Sequence, residues 1–294
     1  MKDMTQGNPV KEVLLFSVPM ILASVFQQMY NAVDSIIVGQ FVGANALAAV
    51  GAAFPAMFLA MSVLIGITMG VQIIISQLFG AGEHERMRAT FATSIISLMI
   101  LVVIASVIGY FASGTILELM NTPPEIIADS KAYLDEIFKG LIFMFLYNLY
   151  TSVLRGVGDS KTPLYFLIIS SILNIVLDLV YVIQFGMGVR GVAVATVQSQ
   201  AVSVILCIIY TNIRIPLFRL GLKDLRVDFG ILRTVLRFGI PTAIQQSISA
   251  TSVPGRIGSQ TSALAASGTK RGSIETVLTP LARRSESARP PPAG

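Results

Sequence analysis

Tryptophan is absent from this 294-residue chain, and cysteine and histidine occur once each, as Cys207 and His84. A single cysteine excludes an intrachain disulfide and a thiolate metal cluster. Zinc chemistry has almost no ligands to draw on. Cys207 sits in an apolar run and reads as a buried, inert thiol. His84 lies in the polar stretch Gly82–Arg88 and reads as a solvated loop residue. Charge is scarce as well. Only 13% of residues are Asp, Glu, Lys or Arg, where a soluble domain carries about 25%. No nucleophile–base set stands out, so the chain is not expected to be an enzyme or to need a cofactor.

What is present is hydrophobicity, at 54% of residues and in long blocks. A membrane helix needs about 20 mostly apolar residues. The blocks do not alternate polar with apolar, as barrel strands would. The pattern predicts an all-α membrane protein with six spans, near 12–38, 47–79, 89–113, 133–154, 162–185 and 189–213. Met1–Pro9 is polar and no small-x-small exit site follows, so the first span is expected to be its own insertion signal.

Lys and Arg set the orientation. Twelve of them (Lys2, Lys11, Arg86, Arg88, Arg155, Lys161, Arg214, Arg219, Lys223, Arg226, Arg233, Arg237) fall on the side of the N-terminus. Three (Lys131, Lys139, Arg190) fall on the other. This asymmetry predicts a multi-pass protein of the cytoplasmic membrane with its N-terminus in the cytoplasm. Pro19 and Pro55 interrupt the first two spans and predict kinks. Small residues crowd the second and sixth spans and suit close helix approach. Thr122–Glu125 reads as a turn followed by a helix that starts with proline.

A short repeat links Val13–Pro19 (VLLFSVP) with Val235–Pro241 (VLRFGIP), which share four of seven positions. Internal repeats mark secondary transporters. The reading divides the chain into a six-span lobe at 1–213, a linker with the incomplete start of a second lobe at 214–248, and a low-complexity tail at 249–294. What looks like a seventh span begins near Ile231–Ile248, although its apolar stretch Phe238–Ile248 is too short and polar to be a secure span. The tail holds six Lys or Arg and two Glu. It is expected to be disordered rather than to bind nucleic acid.

Two carboxylates stand at membrane depth, Asp34 and Asp178. Each costs roughly 2.5–3.5 kcal/mol there, so such residues face a cavity, a partner or an ion. Asn174 lies one turn before Asp178 and shares its helix face, and Asn31 has the same relation to Asp34. Carboxylate and amide oxygens suit a hard cation, or a proton held on the carboxylate. Thr196 could add a hydroxyl. Structural roles as helix-to-helix hydrogen bonds compete with this reading. Gln72, Gln77, Gln198 and Gln200 are explained by helix packing, with a cavity lining as the alternative, and Met57, Met61 and Met69 by core or lipid contact, with an adaptable drug surface as the alternative. Arg155–Leu164 (RGVGDSKTPL) lacks the phosphate-loop pattern. It reads as a tight turn, with Asp159 or Ser160 capping the next helix.

Three segments carry a resemblance: Phe26–Gly51, Arg155–Leu164 and Asn174–Thr196. In that order they resemble the multidrug and toxic compound extrusion (MATE) family, over residues 5–248. The resemblance implies two six-helix lobes around a central cavity. It also implies exchange of Na⁺ or H⁺ for organic, often cationic, drugs. It assigns a cation site to Asp34, Asn174, Asp178 and Thr196, and a bending role to Pro19. The departure is the second lobe, which this chain only begins. A truncated N-lobe is therefore expected, with pairing to a second lobe or second chain as the alternative. The competing functions are a lipid-precursor flippase, which would place Lys or Arg in the cavity, and an inactive membrane fragment or scaffold.

Overall fold

The computed structural model describes residues 9–221 and 227–248. The described residues are helices and short turns. They run α1 (Pro9–Ile37), α2 (Ala44–Gly80), α3 (His84–Leu119), α4 (Pro124–Gly156), α5 (Lys161–Leu179) and α6 (Gly188–Arg214). A further helix, α7, spans 229–248. Short π-helical turns, Val38–Val42 and Val180–Gln184, extend α1 and α5. The tail 249–294 lies outside the described residues.

The six expected spans correspond to α1–α6. Five helices, α2 to α6, are long and apolar enough to cross a membrane. In α1, Gln27, Gln28, Asn31 and Asp34 dilute the apolar run, yet its 29 residues still reach about 43 Å at 1.5 Å per residue. The helix runs unbroken through Pro19, as α2 does through Pro55. The third and fourth helices are longer than expected. They meet in a tight turn, where α3 continues to Leu119 and α4 starts at Pro124, as the Thr122–Glu125 pattern predicts.

Three helices end in the same way. The N–H of Glu83 reaches Leu78 O, that of Thr122 reaches Leu117 O, and that of Asp159 reaches Leu154 O, at 2.9, 3.1 and 2.9 Å. The residue before each donor is left-handed: Gly82 at φ 70°, Asn121 at 54° and Gly158 at 83°. This closure satisfies the last carbonyls and favours Gly or Asn at that position. In the turn after α4, Asp159 rather than Ser160 is the cap. Its Oδ1 accepts from the Thr162 N–H at 3.0 Å and its Oδ2 from the Thr162 hydroxyl at 2.7 Å.

The central post is α4, which packs on α2, α3 and α6; α6 packs on α5, and α5 on α1. Glycines allow the close approaches. A Cβ at Gly140 would stand 2.1 Å from Val197, and one at Gly109 would stand 2.4 Å from the Phe138 ring. Without a hydrophobic driving force in lipid, this fit is what holds helices together. Charges gather at the far ends of α4 and α6. There Glu136 bonds Lys139 at 3.0 Å and Arg190 at 2.8 Å, and Asp135 bonds Lys131 at 2.6 Å.

The helix α7 corresponds to the seventh segment expected near Ile231–Ile248. It begins nine residues before Phe238, where Asp228 Oδ1 accepts from the N–H groups of Gly230 and Ile231. It lies along α2 on small residues. A Cβ on Gly66 would come within 2.3 Å of the Ala243 backbone, and one on Gly239 within 2.8 Å of Ile67 Cα. Ser62 and Ser247 join hydroxyls at 2.7 Å. Two cysteines, Ser62→Cys and Ser247→Cys, in a Cys207→Ala background should therefore form a disulfide under mild oxidation. Adding Gly66→Val should prevent it. A gel mobility shift before and after reduction reads both, and failure of the first pair to link would remove α7 from α2.

Candidate functional site

Asp34 lies in the last turn of α1 and Asp178 in the last turn of α5. Each helix then passes into a π-helical turn, and the two turns touch each other and α6. One-turn π segments recur where a helix is re-aimed at a functional site. Here they follow both carboxylates. Asn174 and Asp178 are fully buried, and Asp34 and Thr196 are half-buried.

The structure brings all four expected residues together. The two carboxyl groups lie within hydrogen-bonding reach of each other. The Asn174 side-chain amide lies between them and Thr196. With its nitrogen towards the carboxylates, it donates to Asp34 Oδ1 and to Asp178 Oδ2, each at 3.1 Å, and its oxygen accepts from the Thr196 N–H at 3.2 Å. The network around an amide decides which way it points, and this orientation satisfies both ends of the Asn174 amide. Asp178 Oδ1 is buried without a hydrogen-bond partner among the described residues. No ion pair among them involves either aspartate.

Comparison with known proteins follows this geometry. The MatE family model matches residues 19–180, which contain Pro19, Asp34, Asn174 and Asp178. The chain belongs to the MatE family. It is 38% identical over 241 residues to the probable multidrug resistance protein YoeA of Bacillus subtilis, across 80% of this chain and 52% of that protein. A MATE crystal structure in the bent conformation superposes with a TM-score of 0.75 at 29% identity, over 82% of this chain and 54% of that one. A MATE structure in the straight conformation gives 0.74 at 28%, over 82% and 54%. The chain thus spans about half the length of the relatives it matches.

Within this MatE lobe, Asn31 remains exposed and joins the exposed Gln27 at 3.4 Å rather than the carboxylates. Pro19 is buried in α1, just over four turns before Asp34. Gln198 accepts from the Tyr181 hydroxyl at 2.6 Å, which ties α6 to the π turn after α5. This is the packing role expected of it. Two tyrosines were not anticipated. Tyr30 meets Thr196 Oγ1 at 3.5 Å, and buried Tyr133 donates to Met57 Sδ at 3.8 Å. Both lie close enough to Asp34 and Asp178 to feel their charge. Tyr30 carried a sequence signal, since it precedes Asp34 by one turn. Tyr133 comes from α4 and carried none.

The amide of Asn174 is the group that both carboxylates share. Replacing it with leucine should destabilise the fold by about 1–3 kcal/mol, because buried acceptors lose their donor. Thermal unfolding in detergent checks this, and an Asn174→Leu chain as stable as the parent would show that the amide holds nothing.

Proposed function

We propose that this chain is the N-terminal lobe of a cation-coupled exporter of organic, often cationic, drugs. The observation that supports this reading most directly is a pair of carboxylates, Asp178 fully buried and Asp34 half-buried, sharing one side-chain amide. A Na⁺ ion or a proton is the coupling ion. Asp34 and Asp178 supply its charge balance, Asn174 turns its oxygen inward when the ion is present, and Thr196 adds a hydroxyl. When the ion leaves, the amide nitrogen turns inward and holds the carboxylates apart from bulk water. Ion occupancy therefore changes both charge and hydrogen bonding where α1, α5 and α6 meet.

Pro19 gives α1 a site at which to bend, because one helix hydrogen bond is already missing there. Bending of α1 would carry Asp34 towards or away from Asp178. That a related MATE has been solved both bent and straight supports two accessible conformations. The membrane body sits in the cytoplasmic membrane with its N-terminus inside, as the Lys and Arg distribution favours. Drug export needs a second lobe, or a second chain in its place, because alternating access requires two parts around one cavity. A flippase for an anionic lipid precursor is the weaker reading. Lys131, Lys139 and Arg190 are each engaged by Asp135 or Glu136, which leaves them neutralised rather than free to hold an anionic headgroup.

The test is ion-dependent ethidium efflux from cells that express the chain alone or joined to a second six-span lobe. Efflux is expected from the joined form, driven by an inward Na⁺ or H⁺ gradient. Asp178→Asn should reduce it to that of cells lacking the protein. Pro19→Ala should slow it while leaving cation binding intact. Normal ion-driven efflux by Asp178→Asn would refute the site.

A further inference from the structure

Where α5 begins and α6 finishes, the end of the bundle holds a cavity of about 540 Å³, within the roughly 300–1,000 Å³ of ordinary ligand pockets. Asp159, Thr162, Tyr165, Phe166, Tyr210 and Arg214 line it. This is the Lys- and Arg-rich side of the bundle. The Asp34–Asp178 site lies at the other end of α5. Tyr165 stands four residues after the first residue of α5, and Tyr210 four residues before the last residue of α6. Both rings therefore lie about 6 Å in from their helix ends, at the depth of the headgroup layer. Tyrosine favours that layer, and this chain has no tryptophan to take its place there.

The cavity holds charges of both signs, and they do not pair with each other. Three donors fix Asp159. The Thr162 N–H reaches its Oδ1 at 3.0 Å, and the hydroxyls of Thr162 and Tyr210 reach its Oδ2 at 2.7 and 3.0 Å. Phe166 steadies the Tyr210 ring edge-on, with centroids 5.8 Å apart. A carboxylate accepts about four hydrogen bonds, so Oδ1 keeps room for another. Arg214, in the last turn of α6, has no ion pair among the described residues. Helix capping explains the Thr162 bonds. It does not explain a carboxylate and a guanidinium that share a cavity without bonding each other.

A ligand with both charges fits this arrangement. An ammonium brings N–H donors to Asp159 and is attracted to tyrosine rings. A phosphate suits the fork of an arginine. Phosphoethanolamine joins the two through a short O–C–C bridge. Lipid chains have a place as well. Tyr165 heads an exposed row on α5 that continues through Ile169, Ile172 and Val176, spaced to share one helix face. We propose that this cavity binds the headgroup of phosphatidylethanolamine, with its ammonium on Asp159, its phosphate on Arg214 and its chains along α5. The lipid is a resident ligand at the rim of the bundle and not a cargo. The proposal uses the chain's place in a bilayer and is independent of which ion, if any, the carboxylate pair binds.

The test places the full chain in bilayers of equal parts phosphatidylethanolamine, phosphatidylcholine and phosphatidylglycerol. After extraction in mild detergent, native mass spectrometry counts the lipids retained. Phosphatidylethanolamine should exceed each of the others about fivefold, the worth of one net hydrogen bond. Choline has no N–H to donate and the glycerol headgroup no positive charge, so both comparisons read the ammonium. Asp159→Asn should bring the three lipids level. Arg214→Gln should lower the retained phosphatidylethanolamine about fivefold. Arg214 is exposed and caps no helix start, so this variant carries the test even where Asp159→Asn fails to fold. Equal retention of the three lipids by the parent chain, or retention untouched by Arg214→Gln, would overturn the site. An excess of phosphatidylglycerol would make the cavity a plain anion site and overturn it too. Displacement of the lipid by an equal concentration of soluble phosphoethanolamine would make the ligand a free zwitterion, and the lipid assignment would fall.

Discussion

Everything at the functional end of this molecule depends on one constraint: two carboxylates inside a helical bundle share a single side-chain amide. Each carboxylate alone would be expensive at that depth. Brought together they repel unless a proton, a cation or a donor lies between them. The Asn174 amide acts as that donor, to both carboxylates at once. Tyr30, Thr196 and the paired π turns hold the helix ends in place around it.

The remainder of the fold lets those helix ends meet. Glycines 109 and 140 bring α3 and α6 close to α4, and the Gly66–Ala243 approach brings α7 onto α2. Fit of this kind has little tolerance for added methyl groups, so the bundle is a rigid frame. The helix α1, which bears Asp34, packs chiefly on α5 and contains Pro19.

Much of this was legible in the sequence, for reasons that differ by residue. Asp34, Asn174 and Asp178 stood out because charge and amide groups are rare in apolar runs, and helical spacing joined the latter two. Thr196 was distinguished only by the family resemblance, since a lone threonine in a membrane helix is ordinary. Tyr133 was hidden because it reaches the site from α4, and sequence spacing reports nothing across helices. The π turns were also hidden, since no residue type marks them. The helix α7 was legible as a seventh segment near Ile231–Ile248, and its start two residues earlier is set by Asp228, which accepts from two backbone N–H groups. The Asp159 cap was one of two alternatives until its distances to Thr162 decided between them.

The central claim is that Asp34 and Asp178 bind the coupling ion as a pair, and ligand-linked stability tests it most directly. A ligand that binds only the folded state raises the unfolding temperature with its concentration. The unfolding temperature of the purified chain in detergent should rise as Na⁺ is added or as the pH is lowered, depending on which ion couples. The Asp34→Asn, Asp178→Asn double variant should lose that rise. Equal responses of the two chains to both ions would contradict the account.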